Sequence, residues 1–281
     1  MRIPSITNNF KNFGSLNLHP TDLAYKKQLQ KGLQDTFKIK CKIEDLASIA
    51  GPIELKNIIE NLKPYHYEVG QNFRANFHLH TNASDGRLTP KEFLQQCKFW
   101  ADRIFQSNKS KDNLPPFSAA ITDHDRIKNV KEVIALISQN PEDYKNFKFV
   151  AGCEFLFHGY KEPYTCFEAV GLGFNPFEPK LEPLMQGFAS NNKMEDVKKV
   201  LDAGGILSWA HPIQTQDKLN EDFFNFLKKH GINGVEGNYQ YIRWDKEYIE
   251  EGKKLLNPLI EKFKMFVTGG TDSHRKTIFG R

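Results

Sequence analysis

Cysteine is scarce in this sequence, and its four cysteines lie far apart. They are Cys41, Cys97, Cys153 and Cys166. None belongs to a Cys-x-x-Cys pair, so the spacing indicates neither a zinc ribbon nor a disulfide framework, and buried reduced thiols are expected. No hydrophobic run approaches the roughly 20 residues that span a bilayer, and the first ten residues lack the apolar stretch of a secretory signal. We therefore expect a cytoplasmic protein without a membrane partner.

A strong charge of either sign is also missing. The 281 residues include 39 Lys and Arg against 34 Asp and Glu, a mild basic excess that names no partner. Dense basic clusters, which dominate binding to a phosphate backbone, are absent from the sequence before residue 73, so nucleic acid is possible but not implied. The oligomeric state does not follow from composition. A hydrophobic content of 39% and a charged content of 26% are typical of a globular chain with a sizeable core.

The pattern of hydrophobic residues changes near residue 73. Before it, apolar residues recur at helical spacing, as in the stripe formed by Tyr25, Leu29 and Leu33, and no chemical motif accompanies them. We therefore expect residues 1–72 to form an N-terminal helical extension and residues 73–281 to form the functional domain.

Short β-type runs alternate with longer helical runs after residue 73. These β-type runs are 75–80, 119–123, 149–154, 165–171, 206–209, 234–236 and 266–268. Their spacing, roughly 30 residues per strand, is typical of βαβ units. The pattern predicts a parallel sheet of seven strands that closes, or nearly closes, into a barrel. In such barrels the functional side chains gather at the C-terminal ends of the strands.

Two alternatives are open for the N-terminal helices. They could pack beside the last strand of the barrel, in which case deleting residues 1–60 should unfold it. They could instead form a lid over the mouth of the barrel and select the substrate.

Metal-competent side chains stand at the ends of several predicted strands. His78 and His80 close the first run, and both imidazoles face the same way because side chains alternate along a strand. Four further runs end near His124, Glu154, His211 and the pair Asp272 and His274. A single His-x-His is a weak signal, but its repetition at one strand end after another predicts a shared metal site.

The order of these motifs resembles that of the PHP (polymerase and histidinol phosphatase) family. The resemblance rests on His78-Leu-His80-Thr-Asn-Ala-Ser-Asp85-Gly, Ile-Thr-Asp-His124-Asp, Gly-Cys-Glu154, Ala-His211-Pro and Gly-Gly-Thr-Asp272-Ser-His274. It covers residues 73–281, about three quarters of the chain. It implies an α/β fold, a distorted seven-stranded (β/α)7 TIM-like barrel, with two or three divalent ions that hydrolyse phosphate esters.

The resemblance also implies a set of ligands for each ion. His78, His80, Glu154 and Asp272 would hold the first ion, Glu154 and His211 the second, and Asp85, His124 and His274 the third. Where the family commonly has a further histidine, this chain has Glu168. His158 is the alternative, but a strand that rises about 3.3 Å per residue would carry it more than about 10 Å from Glu154. Mixed nitrogen and oxygen ligands favour Mn, Fe or Zn over Ca.

Arginines and aromatic residues near these motifs are candidates for substrate contacts. Arg87 and Arg275 follow presumed ligands within two residues. A guanidinium fork grips two phosphate oxygens, so both are candidate catalytic residues, with exposed loop arginines as the alternative. Trp209, Trp244 and Tyr239 could line a pocket for a base or ring, although aromatic residues near strand ends are usually part of the core.

These features predict a metal-dependent phosphoesterase. A metal-bridging hydroxide would attack the phosphorus of a small phosphomonoester, such as a nucleotide or sugar phosphate, which is the expected partner. A nuclease that acts on DNA or RNA ends is one alternative, because residues 46–59 resemble a helix-hairpin-helix element, with one glycine where that motif has two. A non-catalytic, metal-stabilised interaction module is the other.

Overall fold

A barrel of mixed strand direction, surrounded by helices, forms the centre of this α/β protein. The computed structural model describes residues 18–62, 74–107, 116–159, 166–185, 187, 192–239 and 244–279. The strands are β1 (Ala75–Asn76), β2 (Phe117–Ile121), β3 (Phe147–His158), β4 (Cys166–Leu172), β5 (Asn192–Lys193), β6 (Ile206–Trp209), β7 (Gly234–Tyr239) and β8 (Phe266–Gly270). Seven of them make the barrel, and β5 pairs with β3 outside it.

The α-helices of the described residues are α1 (Pro20–Phe37), α2 (Pro52–Leu62), α3 (Pro90–Ser107), α4 (Lys128–Gln139), α5 (Val197–Asp202), α6 (Glu221–Lys229) and α7 (Lys246–Phe263). Side chains close in the sequence cap the N-terminal N–H groups of four of them, α1, α3, α6 and α7. At α3, Thr89 and Glu92 form a capping box, in which each side chain accepts a hydrogen bond from the other residue's backbone nitrogen, at 3.2 Å and 2.9 Å. None of the described helices is both long and apolar enough to cross a membrane.

The two ends of the barrel path meet and nearly close it. The strand order is β1-β2-β3-β4-β6-β7-β8, and the segment that follows β1 is joined by backbone hydrogen bonds to β8 and to the residues after β8. The nitrogen of Phe77 donates to the oxygen of Gly269, and the nitrogen of His80 to that of Ser273, both at 3.0 Å. A Cβ added at Gly270 would lie 2.4 Å from the backbone nitrogen of His78, so this close approach requires a glycine.

Strand β4 shows that the expected all-parallel sheet is wrong. It is antiparallel to both β3 and β6, whereas the other neighbours along the path are parallel. The reason is that β3 continues past Glu154 to His158, and β4 pairs back along it from Cys166. The regular (β/α)7 pattern is therefore interrupted here. As a consequence, the beginning of β4 lies at the same end of the barrel as the C-terminal ends of its neighbours.

Helix α2 closes the barrel at the end opposite the C-terminal ends of the parallel strands. Leu55 lies against Gly173, which follows β4, and Pro52 lies against Gly204, which precedes β6. The buried side of α2 forms one hydrophobic cluster with residues of the barrel. The members from the barrel are Ala75, Phe77, Ala120, Val150, Val170, Leu172 and Ala210. Helix α2 also contacts β8. Helix α2 therefore does not form a lid over the mouth of the barrel.

A buried lysine lies where α1 meets α2 and the barrel. Lys26 is 0% exposed, and its Nζ has no hydrogen-bond partner among the described residues. Burial lowers the pKa of Lys26 to about 8, and Lys148 adds to the shift while Glu54 and Asp22 oppose it. The carboxylate of Glu54 forms an ion pair with Lys148, whose Nζ lies 2.6 Å from it.

We expect Lys26→Met to stabilise the protein at pH 7 by about 1–3 kcal/mol, because methionine fills the same space without a buried charge. Between the folded pKa of about 8 and the ordinary value of 10.5, the unfolded chain binds more protons than the folded one. Wild-type stability therefore rises with pH in this window, and the advantage of the variant shrinks. Denaturant unfolding at pH 7 and pH 10 measures both effects. Lys27→Met, at an exposed position of α1, is the control, and a loss of stability at pH 7 would contradict the expectation.

Candidate metal centre

The side chains predicted as metal ligands converge at the strand-end mouth of the barrel. They are His78, His80, Asp85, His124, Glu154, Glu168, His211, Asp272 and His274. Each belongs to a group of three or four whose donor atoms all lie within 4.8 Å of one another. The convergence is a property of the fold, whereas the role of these residues as ligands stays a prediction.

Glu154, on β3, lies at the centre of this cluster and is 1% exposed. Its carboxylate contacts four imidazoles. The separations are 3.1 Å to His78 Nε2, 3.2 Å to His80 Nε2, 3.2 Å to His124 Nδ1 and 3.0 Å to His211 Nε2. Burial pushes the pKa of Glu154 upward, but the imidazoles outweigh burial and hold that pKa well below its usual range. Glu154 is therefore an anion at neutral pH, and its carboxylate would be available to hold a cation.

The spacing of the donor atoms fits divalent cations. The Nε2 atoms of His78 and His80 are buried and form no hydrogen bond with described residues, although carboxylate oxygens lie 3.1–3.5 Å from them. Ligand atoms bound about 2.1 Å from one ion lie roughly 3.0–3.4 Å apart in tetrahedral or octahedral arrangements. Buried polar atoms without a partner are rare in proteins because desolvation is costly. Coordination of an ion would satisfy both nitrogens.

Glu168 reaches the cluster, and the competing candidate His158 does not belong to its described groups. Because β4 runs antiparallel, Glu168 lies near its beginning, at the mouth, with one oxygen 3.3 Å from His211 Nε2 and the other 3.8 Å from His124 Nδ1. Burial, with the charge of Glu154, raises the pKa of Glu168 to about 7. An incoming cation would therefore displace a proton from this carboxyl group as it binds.

Two buried residues of β7 hold the cluster in place, and the sequence analysis did not assign either to it. Both carboxylate oxygens of Glu236 lie 3.1 Å from His78 Nδ1, and one accepts a hydrogen bond from the backbone nitrogen of His211 at 2.9 Å. This contact turns Nε2 of His78 toward the cluster. Tyr239 donates its hydroxyl proton to Asp272 Oδ2 at 2.5 Å. The sequence did contain a signal for Glu236. It is an acidic residue at the end of the predicted run 234–236, and no candidate ligand had been assigned to that run.

We expect Glu236→Gln to weaken metal binding by about 10–100-fold, the usual effect of losing a partner that orients a histidine ligand. Glutamine has the same shape but offers His78 Nδ1 one acceptor without charge. Titration of metal-free protein with Mn²⁺ measures the change. Glu261→Gln, at an exposed position of α7, is the matched control. Unchanged affinity in the Glu236 variant would show that this contact does not orient a ligand.

The loops at the mouth are fixed by two aspartates beside His124. Asp123 is buried, and its Oδ1 accepts hydrogen bonds from the nitrogen of Thr81 at 2.6 Å and from the hydroxyl of Ser84 at 2.8 Å. Asp125 accepts from Asn192 Nδ2 at 2.8 Å. These contacts order the segment that carries Asp85. Neither aspartate is a member of the described ligand groups.

Three residues of the mouth adopt a left-handed backbone conformation. The φ angles are 45° at Asp125, 30° at His211 and 48° at Asp272. This region is unfavourable for residues other than glycine, so neighbouring contacts must hold it. The nitrogen of Asp272, for example, donates to the oxygen of His78 at 2.8 Å.

A cavity of about 410 Å³ opens above the cluster. Its lining consists of His124, Glu154, Glu168, His211, Gln214, Trp244, Asp272 and His274. The two arginines predicted as catalytic, Arg87 and Arg275, are exposed and lie outside this lining. Of the aromatic candidates, Trp209 is 1% exposed and packs in the core against Phe223, whereas Trp244 lines the cavity.

Comparison with known proteins adds no assignment to this geometry. No protein-family model matches the chain, and no curated protein matches it.

Proposed function

We propose that the protein is a metal-dependent phosphoesterase that hydrolyses a small phosphomonoester, and that its barrel is a distorted TIM-like barrel of the PHP family. The observation that carries the proposal is the convergence of nine residues with nitrogen or oxygen donors, the buried Glu154 and eight others, beside a cavity. Barrel enzymes place their chemistry at this end of the strands.

Two or three divalent ions, of Mn, Fe or Zn, are the cofactors that suit this mixed donor set. One group comprises His78, His80 and Asp272, a second His78, Glu154 and His211, and a third His80, Asp85, His124 and His274. Glu168 joins Glu154 and His124 in a further group. When bound, such ions lower the pKa of a coordinated water and neutralise the charge of a phosphate.

The residues of the chain orient this donor set, and the cysteine nearest to Glu154 along β3 is buried. His274 donates its Nδ1–H to the backbone oxygen of Asp272 at 3.0 Å, because a carbonyl can only accept, and this leaves Nε2 to face Asp85 at 3.0 Å. Tyr239 and Glu236 fix Asp272 and His78 in the same manner. Cys153 is fully buried, and burial raises the pKa of its thiol. The site is therefore suited to attack by water rather than by a thiolate.

The structure offers no specific support for the nuclease alternative. The segment 46–59, which resembles a helix-hairpin-helix, forms the beginning of α2 and the turn before it. Its apolar residues Leu46, Leu55 and Ile58 are buried, and it lies at the end of the barrel away from the cavity. It is thus an element of the core.

Hydrolysis of a generic aryl phosphate in the presence of Mn²⁺ tests the proposal. We expect release of phosphate that is lost after chelation and restored by added Mn²⁺. Cleavage of single-stranded DNA without aryl phosphate hydrolysis would favour the nuclease instead. Tight binding of metal with neither activity would favour the interaction module.

A further inference from the structure

Two residues of the cavity wall lie outside the metal cluster. Gln214 and Trp244 line the same cavity as His211 and His274, yet neither belongs to a described ligand group. A volume of about 410 Å³ is within the range of about 300–1,000 Å³ that is typical of sites for small molecules. Part of a substrate that extends beyond its phosphate would therefore meet these two side chains.

Trp244 presents a flat apolar surface to the cavity. Its indole stacks on the ring of Tyr248, at the start of α7, with centroids 4.7 Å apart and an angle of 15° between the planes. Tyr248 covers one face of the indole, and Trp244 nevertheless remains 38% exposed. Trp244 thus lines the cavity with an indole that Tyr248 supports and that keeps exposed surface. A supported tryptophan face binds planar rings by stacking.

Gln214 adds a hydrogen-bond acceptor, its Oε1 atom. The hydrogen bonds that link Gln214, Tyr239 and Asp272 determine which way its amide group is turned. Tyr239 has one hydroxyl proton, and it goes to the carboxylate of Asp272 at 2.5 Å. The oxygen of Tyr239 can therefore only accept from Gln214, which must present its Nε2 group to it, at 3.0 Å. The Oε1 atom of Gln214 is left for a donor in the cavity.

We propose that this wall is the binding site for a planar ring that carries hydrogen-bond donors, such as the amino-substituted base of a nucleoside monophosphate. The ring stacks on Trp244, donates to Gln214 Oε1, and leaves its phosphate at the metal cluster. The inference rests on the proposed function and narrows its substrate to phosphomonoesters that carry such a ring. A sugar phosphate without a base would make neither the stacking contact with Trp244 nor the hydrogen bond to Gln214 Oε1.

The test compares adenosine 5′-monophosphate with ribose 5-phosphate, which has the same sugar and phosphate but no base. For wild-type protein with Mn²⁺, we expect kcat/KM and affinity by calorimetry to be about tenfold higher for adenosine 5′-monophosphate. Trp244→Ala should remove most of this difference, and Trp244→Phe should keep most of it. Gln214→Leu should weaken binding of adenosine 5′-monophosphate about fivefold.

Phe99→Ala is the matched control, because Phe99 is an aromatic residue of α3 that is 66% exposed and does not line the cavity. Equal values of kcat/KM for the two compounds, or an equal effect of Trp244→Ala on both, would overturn the ring site and leave the phosphoesterase standing. If no phosphomonoester is hydrolysed, the proposed function fails. Calorimetry then still decides the ring site, since a tenfold difference in Kd that Trp244→Ala abolishes supports it and equal binding rejects it.

Discussion

Glu154→Gln is expected to lower phosphate release by about a thousandfold and to remove bound metal from the protein. Glu154 is the one described carboxylate within about 3.2 Å of four imidazoles, and those imidazoles keep its pKa well below the usual range. Glutamine has nearly the same volume but no charge, so the cluster would lose its most buried anion and hold a cation less tightly. Metal content by elemental analysis and initial rates with an aryl phosphate measure the two losses.

Two further variants separate chemistry from folding in this experiment. Glu154→Asp keeps the charge with a shorter side chain and should retain part of the bound metal. Glu251→Gln, at an exposed position of α7, is the control for the loss of one carboxylate. Circular dichroism should report the same fold for all of them. A Glu154→Gln protein with normal metal content and turnover would contradict the metal centre.

Deletion of residues 1–60 is expected to leave no folded barrel. Helix α2 covers the end of the barrel opposite the mouth, and without it Phe77, Val150 and Leu172 would lose the apolar partners that now keep them at most 2% exposed. A stretch of hydrophobic surface of this kind favours aggregation over folding. A soluble truncated protein that unfolds cooperatively would contradict this role of α2.

A point substitution tests the same contact without removing a helix. Leu55 is 1% exposed and lies against Gly173. Leu55→Ala should therefore lower the free energy of unfolding by about 2–5 kcal/mol, through lost burial and the cavity left behind. Asn57→Ala, two residues further along the exposed side of α2, should change it by less than about 0.5 kcal/mol. Equal effects of the two substitutions would place the contact elsewhere.

Local sequence was sufficient to predict which side chains converge at the mouth, and insufficient for the length and direction of the strands, since β1 ends at Asn76 rather than at residue 80. Side-chain alternation predicted that His78 and His80 face one way, and the structure places both in the cluster. Periodicity detects a strand, but its direction depends on which neighbour it pairs with. The antiparallel course of β4 was therefore missed, although Glu168 was expected near a strand end.

The other features that the sequence did not predict also depend on contacts between distant parts of the chain. Glu236 stands between a valine and a glycine and belongs to no spacing motif. It lies 158 residues from His78 in the sequence, and only the fold brings the two side chains into contact. Trp209 and Trp244 are the same residue type near strand ends, yet one is buried and the other lines the cavity. Such distinctions depend on tertiary packing, which composition and periodicity do not contain.

Three residues of the mouth have a left-handed backbone conformation, which lowers the stability of the fold but keeps their polar side chains at the site. Asp125, His211 and Asp272 each adopt a conformation that glycine would accept freely, and the difference is about 1–3 kcal/mol for each of them. A chain selected for thermal resistance alone would therefore carry glycine at these positions, and it would lose an imidazole and two carboxylates in exchange. Stabilisation of this protein is better sought at the α2 end of the barrel, where substitutions leave the residues of the mouth unchanged.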